Sequence, residues 1–229
     1  MLVGVDGCRG GWIVAGADHD GAVSCHRVTQ LSELFAANAP EVIAVDVPIG
    51  LPEAGGRQCD QEARRLLGLR RNSVFSAPLR PVLSATSHAE ASSIRYRIES
   101  KRMSIQAWGI VPKIREVDEL LRNEPIRRDS VREVHPEVCF YFMNDKKPMA
   151  HAKKKSLGRV ERVVLLRAWC GDSIDVALAG RRTLACEFDD IVDAFVALWS
   201  AERIARGQSV VIPIAPPKDS VGLRMEMVA

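Results

Sequence analysis

LVGVDGCRGGWIVAGAD, residues 2–18, decides how this chain is read. Two short apolar runs rich in valine flank a break of three glycines around Cys8 and Arg9. Apolar runs of strand length joined across glycine read as an antiparallel hairpin, because glycine supplies the positive φ that tight turns require. Working outward, Asp20-Gly21 marks a second turn before AVSCHRV, so the opening predicts a three-stranded antiparallel meander. Leu31, Leu34 and Phe35 then fall at helical spacing, ended near Pro40. EVIAVDVP, residues 41–48, is a continuous apolar run, as expected of a central strand buried on both faces. It stops at Asp46, since Pro48 cannot continue a ladder. A crossover helix returns the chain parallel to its first strand. With the fourth strand beside the first, Asp6 and Asp46 share one edge. The expected fold is α/β: a mixed sheet of three antiparallel strands followed by parallel strands, flanked by helices.

The rest of the chain adds helices to this frame. Residues 51–129 carry helical patterns, among them QEARRLLGL and IREVDELLR, the latter in a run after Pro112. They predict a helical insertion within a single domain of residues 1–229. VREVHPEVCFYF resumes the sheet, with a strand ending near His135 and Pro136 opening a turn or helix, so Glu137 sits just past a strand end. RVERVVLLRAW and FDDIVDAFVALW read as helices, SVVIP as a late strand, and the tail from Pro213 is weakly patterned. On a helical wheel Phe188, Ile191, Val192, Phe195 and Trp199 form one face. Asp190, Asp193, Ala194, Ala197 and Ala201 gather on the other, which predicts alanines close against the sheet.

At 229 residues the chain can bury a full core, and 47% apolar with 27% charged residues is a soluble, globular composition. A net charge of +3 points to no partner, yet the charge is uneven. Lys146 to Arg162 is almost purely basic, and Arg57 to Arg80 is rich in arginine. Each run reads either as a solvated face or as a polyanion contact. The six cysteines include no Cys-x-x-Cys pair, which argues against a zinc ribbon and for small buried hydrophobes in a reducing compartment. With the first strand expected to begin at Leu2, no leader is expected, and no apolar run approaches the ~20 residues of a span. A cytoplasmic protein with no membrane partner is expected.

Asp6, Asp46 and Glu137 each end a strand candidate, while Asp190 and Asp193, one turn apart, open a helix laid on the same sheet. For the helix pair alone the ordinary alternative is acids complementing the helix dipole, with Asp189 as N-cap. Taken together, five carboxylates on one buried edge would repel one another unless something positive sat among them. Oxygen ligands without cysteine or clustered histidine favour Mg²⁺ or Mn²⁺. Such ions can activate water and stabilise the leaving oxygen in phosphodiester hydrolysis.

The order of strands and acids resembles the ribonuclease H-like fold, in the branch containing Holliday junction resolvases. More narrowly, VGVDGCRGGW, AVDVPIGLP, RQCDQEARRLLG, SVFSAPLR, SIQAWGIVPKIREVD, EVHPE and DDIVDA resemble the bacterial and archaeal family called domain of unknown function 429. That family is described as predicted ribonuclease H-like nucleases. The resemblance implies that Asp6, Asp46, Glu137, Asp190 and Asp193 bind Mg²⁺ or Mn²⁺, and that Arg57 and Lys113 contact substrate phosphates; the ordinary alternative is ion pairing along their helices, among Arg57, Asp60 and Arg64 and among Lys113, Glu116 and Asp118. Where the resemblance leads one to expect a glycine before SIQAW, this chain has the basic SKRM.

Ser104 and Gln106 are candidates to bond a base or loop backbone. His135 is a candidate proton carrier or a structural histidine. Trp108, Phe75 and Phe140 could stack on bases or pack in the core. Lys153, Lys154 and Lys155 are expected to hold backbone phosphates without reading sequence. The expected activity is a metal-dependent nuclease acting on DNA or RNA, with a homodimer carried over from the resolvases. The alternatives are phosphotransfer or phosphohydrolysis on a nucleotide or small metabolite, since VGVDGCRGG also looks like the phosphate hairpin of actin-like and sugar-kinase folds, and non-catalytic nucleic-acid binding.

Overall fold

The computed structural model describes residues 1–17, 23–36 and 39–229, so the Asp20-Gly21 turn lies outside the described residues. Five strands form the main sheet: β1 (Leu2–Cys8), β2 (Gly11–Ala17), β3 (Val23–Val28), β4 (Val42–Val45) and β5 (Val131–Glu133). Their order is β3-β2-β1-β4-β5. The first three run antiparallel, and β4 and β5 continue parallel on the far side of β1. This is the mixed sheet the sequence predicts. β1 runs past Asp6 to Cys8 because the hairpin closes only at Arg9-Gly10, where Gly10 takes φ 72°. The segment from Leu31 is a single 3₁₀ turn, Leu31–Phe35, rather than an α-helix, with Pro40 close behind.

The helices are α1 (Gln58–Leu67), α2 (His88–Glu99), α3 (Ile105–Asn123), α4 (Pro136–Met143), α5 (Ser156–Cys170), α6 (Ser173–Ala179) and α7 (Phe188–Ala205). Side chains alternate across a sheet. Leu2, Val42 and Ala44 therefore pack on the side of Ala194, Ala197 and Phe195 of α7, while Val3, Val5, Ile43 and Val45 pack with Ile114, Val117 and Leu121 of α3. Gly4 fixes the seat of α7: a Cβ there would lie 2.0 Å from the Leu198 nitrogen and 2.2 Å from the Ala194 carbonyl oxygen. Ala194, Ala197 and Ala201 are fully buried, so the small-residue face does lie against the sheet.

Residues 51–129 hold α1 to α3, and they do not form one block. α1 buries Cys59, Ala63 and Leu67 with the α7-side core, whereas Leu79, Val82, Ala85, Ala91, Met103 and Val111 make a separate cluster. α3 starts before Pro112 rather than after it, capped by the Ser104 hydroxyl, which accepts from the Ala107 amide at 3.1 Å. β5 stops at Glu133, short of His135, whose extended backbone leads into Pro136 at the first position of α4. β6 (Val211–Ile212) forms a separate ribbon with β7 (Met227–Val228). The weakly patterned tail is thus part of the packed structure: Glu226 is buried and accepts from Arg132 at 2.7 Å, and Asp219 accepts from the Leu51 amide at 2.9 Å. Among the described residues, no helix is long and apolar enough to cross a membrane.

Candidate functional site

Asp6 and Asp46 stand side by side. The parallel register pairs Val5 with Val45, and the Asp46 amide donates to the Val5 carbonyl at 2.9 Å. Alternation puts Asp6 on the face of Leu2 and Gly4, under α7. From above, α7 lowers Asp193 to 3% exposure next to the alanines that seat the helix. Burial raises Asp6 well above the usual carboxylate range, and the charges of Asp46, Asp193 and Asp190 push it the same way. Burial and the Asp193 charge push Asp46 up to about 8. Among the described residues no hydrogen-bond donor reaches the carboxylate of Asp6 or Asp46.

The Lys153 ammonium enters the cluster. Lys153 Nζ donates to Asp193 Oδ2 at 2.7 Å, and its charge opposes the upward shifts of both Asp6 and Asp46. The attraction of Asp193, with help from Asp46 and Asp6, raises the pKa of Lys153 against the cost of its burial. Expected as an outward phosphate contact, Lys153 instead points inward. Its loop, between α4 and α5, is clamped to the body. Arg70 Nε donates to the Met149 carbonyl at 2.9 Å, and Glu161 accepts from the amides of Ala150 and His151 at 2.6 and 3.1 Å. Gly158 allows α5 to approach so closely that a Cβ there would lie 2.1 Å from the Ala152 oxygen.

The other predicted residues divide. Asp190 lies beside the cluster but accepts from the Glu187 amide at 2.9 Å, closing a capping box. Glu187, not Asp189, is the N-cap, so the ordinary helix-start reading describes Asp190 in this structure and not the buried Asp193. Glu137 is not brought to the cluster. It opens α4 and binds Arg162, whose Nε donates to it at 3.1 Å. Arg162 also donates to the carbonyls of His151 and Gly158, so Glu137 braces the loop that carries Lys153.

Arg57 cannot meet a phosphate from its position. It is 2% exposed and donates to Glu133, Asp60 and the carbonyls of Ile49 and Gly50. Lys113 lies over the Trp12 ring, 4.2 Å from its centroid, beside Gly7 on the α3 face and 3.9 Å from Glu116 Oε2. Burial lowers its pKa. Lys154 and Lys155 are exposed. Much of the arginine-rich run is likewise structural, with Arg64 donating to the Val74 carbonyl and Arg80 to Asp118. Ser104 is spent on its cap and Gln106 is exposed. His135 is held neutral, its pKa lowered to about 4 by burial, with Nε2 3.3 Å from the Ser73 carbonyl oxygen. Phe140 is buried, Trp108 half-buried and Phe75 exposed. All six cysteines are free thiols.

The family model described as protein of unknown function (DUF429) matches residues 4–218. The chain belongs to this family. No curated protein and no solved structure matches the chain. The DUF429 match spans Asp6, Asp46, Lys153 and Asp193 and ends before β7.

As donors, these three carboxylates suit a hard divalent ion, and the unpartnered, buried Asp6 is the kind of ligand such an ion would satisfy. As they stand, no three His, Cys, Asp or Glu side chains among the described residues are gathered to hold one.

Sequence reasoning missed Glu133. It accepts from the Ile49 amide at 2.5 Å and from Arg57 at 2.6 and 2.7 Å, and burial pushes its pKa up to about 7 against the Arg57 charge. The strand-end argument that selected Glu137 would have selected Glu133 had β5 been ended correctly. Nothing in the sequence signals that Lys153 turns inward while Lys154 and Lys155 do not.

Proposed function

We propose that this DUF429 protein is a divalent-metal-dependent nuclease that hydrolyses nucleic-acid phosphodiester bonds at the Asp6–Asp46–Asp193 edge. One observation carries the reading: Asp6, Asp46 and Asp193, at adjoining strand and helix positions, lie close enough that their charges raise the pKa of Asp6 and Asp46, with the Lys153 ammonium held on Asp193. Such a group is costly to maintain without a function or a cation. Asp6, Asp46 and Asp193 would hold Mg²⁺ or Mn²⁺, with Asp190 adjacent but engaged by its cap. When bound, the ion lowers the pKa of an attacking water and offsets charge on the leaving oxygen. The protein's own part is to fix two of the donors rigidly on neighbouring strands and to bring the third in on a helix that cannot slide. Lys154 and Lys155, exposed on the same loop as Lys153, hold flanking backbone phosphates. A cytoplasmic location, with nucleic acid as partner, belongs to the same proposal.

The test is cleavage of labelled single-stranded, duplex and junction DNA and RNA with Mg²⁺ or Mn²⁺ and with chelator. Cleavage should require metal and fall by orders of magnitude in Asp6→Asn and Asp193→Asn. The metal should also raise the melting temperature of the wild type, because it binds the folded form. Absence of cleavage together with absence of metal stabilisation overturns the proposal. Turnover of mononucleotides or sugar phosphates alone would move the activity to a small phosphate ester. Lys154→Glu with Lys155→Glu should weaken nucleic-acid binding and flatten its salt dependence, since fewer counterions are released. An unchanged slope would make these lysines a solvated face.

A further inference from the structure

We propose that Lys153 is a built-in counter-ion of the aspartate cluster, and that a divalent ion must displace it to reach Asp193. The inference rests on the metal reading above and adds a residue that reading does not need. Lys153 Nζ lies 2.7 Å from Asp193 Oδ2, where a hard cation would otherwise bind. Two cations cannot both contact one carboxylate oxygen in a buried site without strong repulsion. Binding of metal and pairing of Lys153 therefore oppose each other, and each weakens the other equally.

Three features suit Lys153 to leave. Its side chain is 40% exposed while that of Asp193 is 4% exposed, so the lysine reaches in from solvent and has a way out. It makes one hydrogen bond to the cluster, through a point charge on a flexible stem, where arginine would lock two. Asp6 and Asp46 receive its field but no hydrogen bond, so they remain free to ligate once it swings away. The same ammonium limits repulsion among the acids.

The test measures Mn²⁺ affinity by calorimetry for wild type and Lys153→Met, and the reactivity of Lys153 toward an amine-acylating ester by peptide mass spectrometry. The wild type alone suffices for the second readout should the variant fold poorly. Lys153→Met should bind Mn²⁺ about tenfold more tightly, within the usual range of linked sites. In the wild type, Lys153 should be acylated slowly in chelator and faster with saturating Mn²⁺, while Lys154 stays constant as reference. Equal or weaker affinity in the variant, or reactivity that Mn²⁺ leaves unchanged, overturns the counter-ion role and leaves the nuclease reading standing. Failure of both proteins to bind Mn²⁺ overturns the metal reading, and this role with it.

Discussion

An aspartate held at about pKa 8 makes the metal-free protein less stable as pH rises. The ordinary Asp value is 3.8, so between these limits folded Asp46 keeps a proton that the unfolded chain releases. Stability falls with pH wherever the native state binds more protons. Asp6 shifts the same way, and Glu133, pushed to about 7, adds to the trend. In chelator the melting temperature should therefore drop between about pH 5 and pH 8, and Asp46→Asn should make that drop shallower. Parallel profiles for variant and wild type would show that Asp46 ionises freely. At this scale the placement of Asp6 and Asp46 on neighbouring strands and of Asp193 on the helix above them was legible because strand ends and helix spacing are local. Glu137 was misassigned because a strand end placed beyond its true position carries every later residue with it. Lys153 was misread because three consecutive lysines look alike until a fold points one of them inward.

Among the elements, α7 on β1 is the contact that positions the site, and two glycines test opposite predictions about it. Gly4→Ala would drive a methyl into the backbone of α7, which has no side-chain freedom with which to yield. The cost should meet or exceed the ~1–3 kcal/mol usual for overpacking, seen as a lowered denaturation midpoint. Gly109, inside α3, has nothing within 4 Å of an added Cβ. Gly109→Ala should stabilise by roughly 0.5–1 kcal/mol by restricting the unfolded chain and favouring helix. A Gly4→Ala variant as stable as wild type would mean that α7 is not seated as described. The alanine face announced this packing in the sequence, since only small side chains let a helix approach a sheet so closely. The 3₁₀ turn at Leu31 was not announced, because its spacing fits one turn of either helix.

Across the whole molecule, buried ion pairs between distant segments bind insertion, sheet and tail. Arg57 joins α1 to Glu133 of β5 and to the chain after β4, while Arg80 bridges Asp118 of α3 and Asp219 of the tail. Removing one partner strands the other without compensation, so Arg57→Met should cost about 3–5 kcal/mol in chemical denaturation. If Arg57 served substrate instead, the variant would keep its stability and lose nucleic-acid affinity. The sheet order was legible because hydrophobic runs and turns define it one segment at a time. These pairs were not, because a charge pattern does not reveal which distant acid an arginine will meet. The resemblance assigned Arg57 to substrate; its pairing with Asp60 was an open alternative, whereas its partner Glu133 and the closing role of the tail went unread.

The clamps on the loop between α4 and α5 set a radius. Met149, Ala150 and His151 are tied through their backbone to Arg70, Glu161 and Arg162, which anchors the chain two residues before Lys153. Its ammonium travels only as far as four methylenes carry it from a fixed point. On the proposed nuclease reading, a phosphate that it meets after release lies within that short arc of the aspartates, at the scissile bond rather than along the flanking strand. Glu137 and Arg162, outside the aspartate cluster themselves, thereby decide how near to it the lysine must remain.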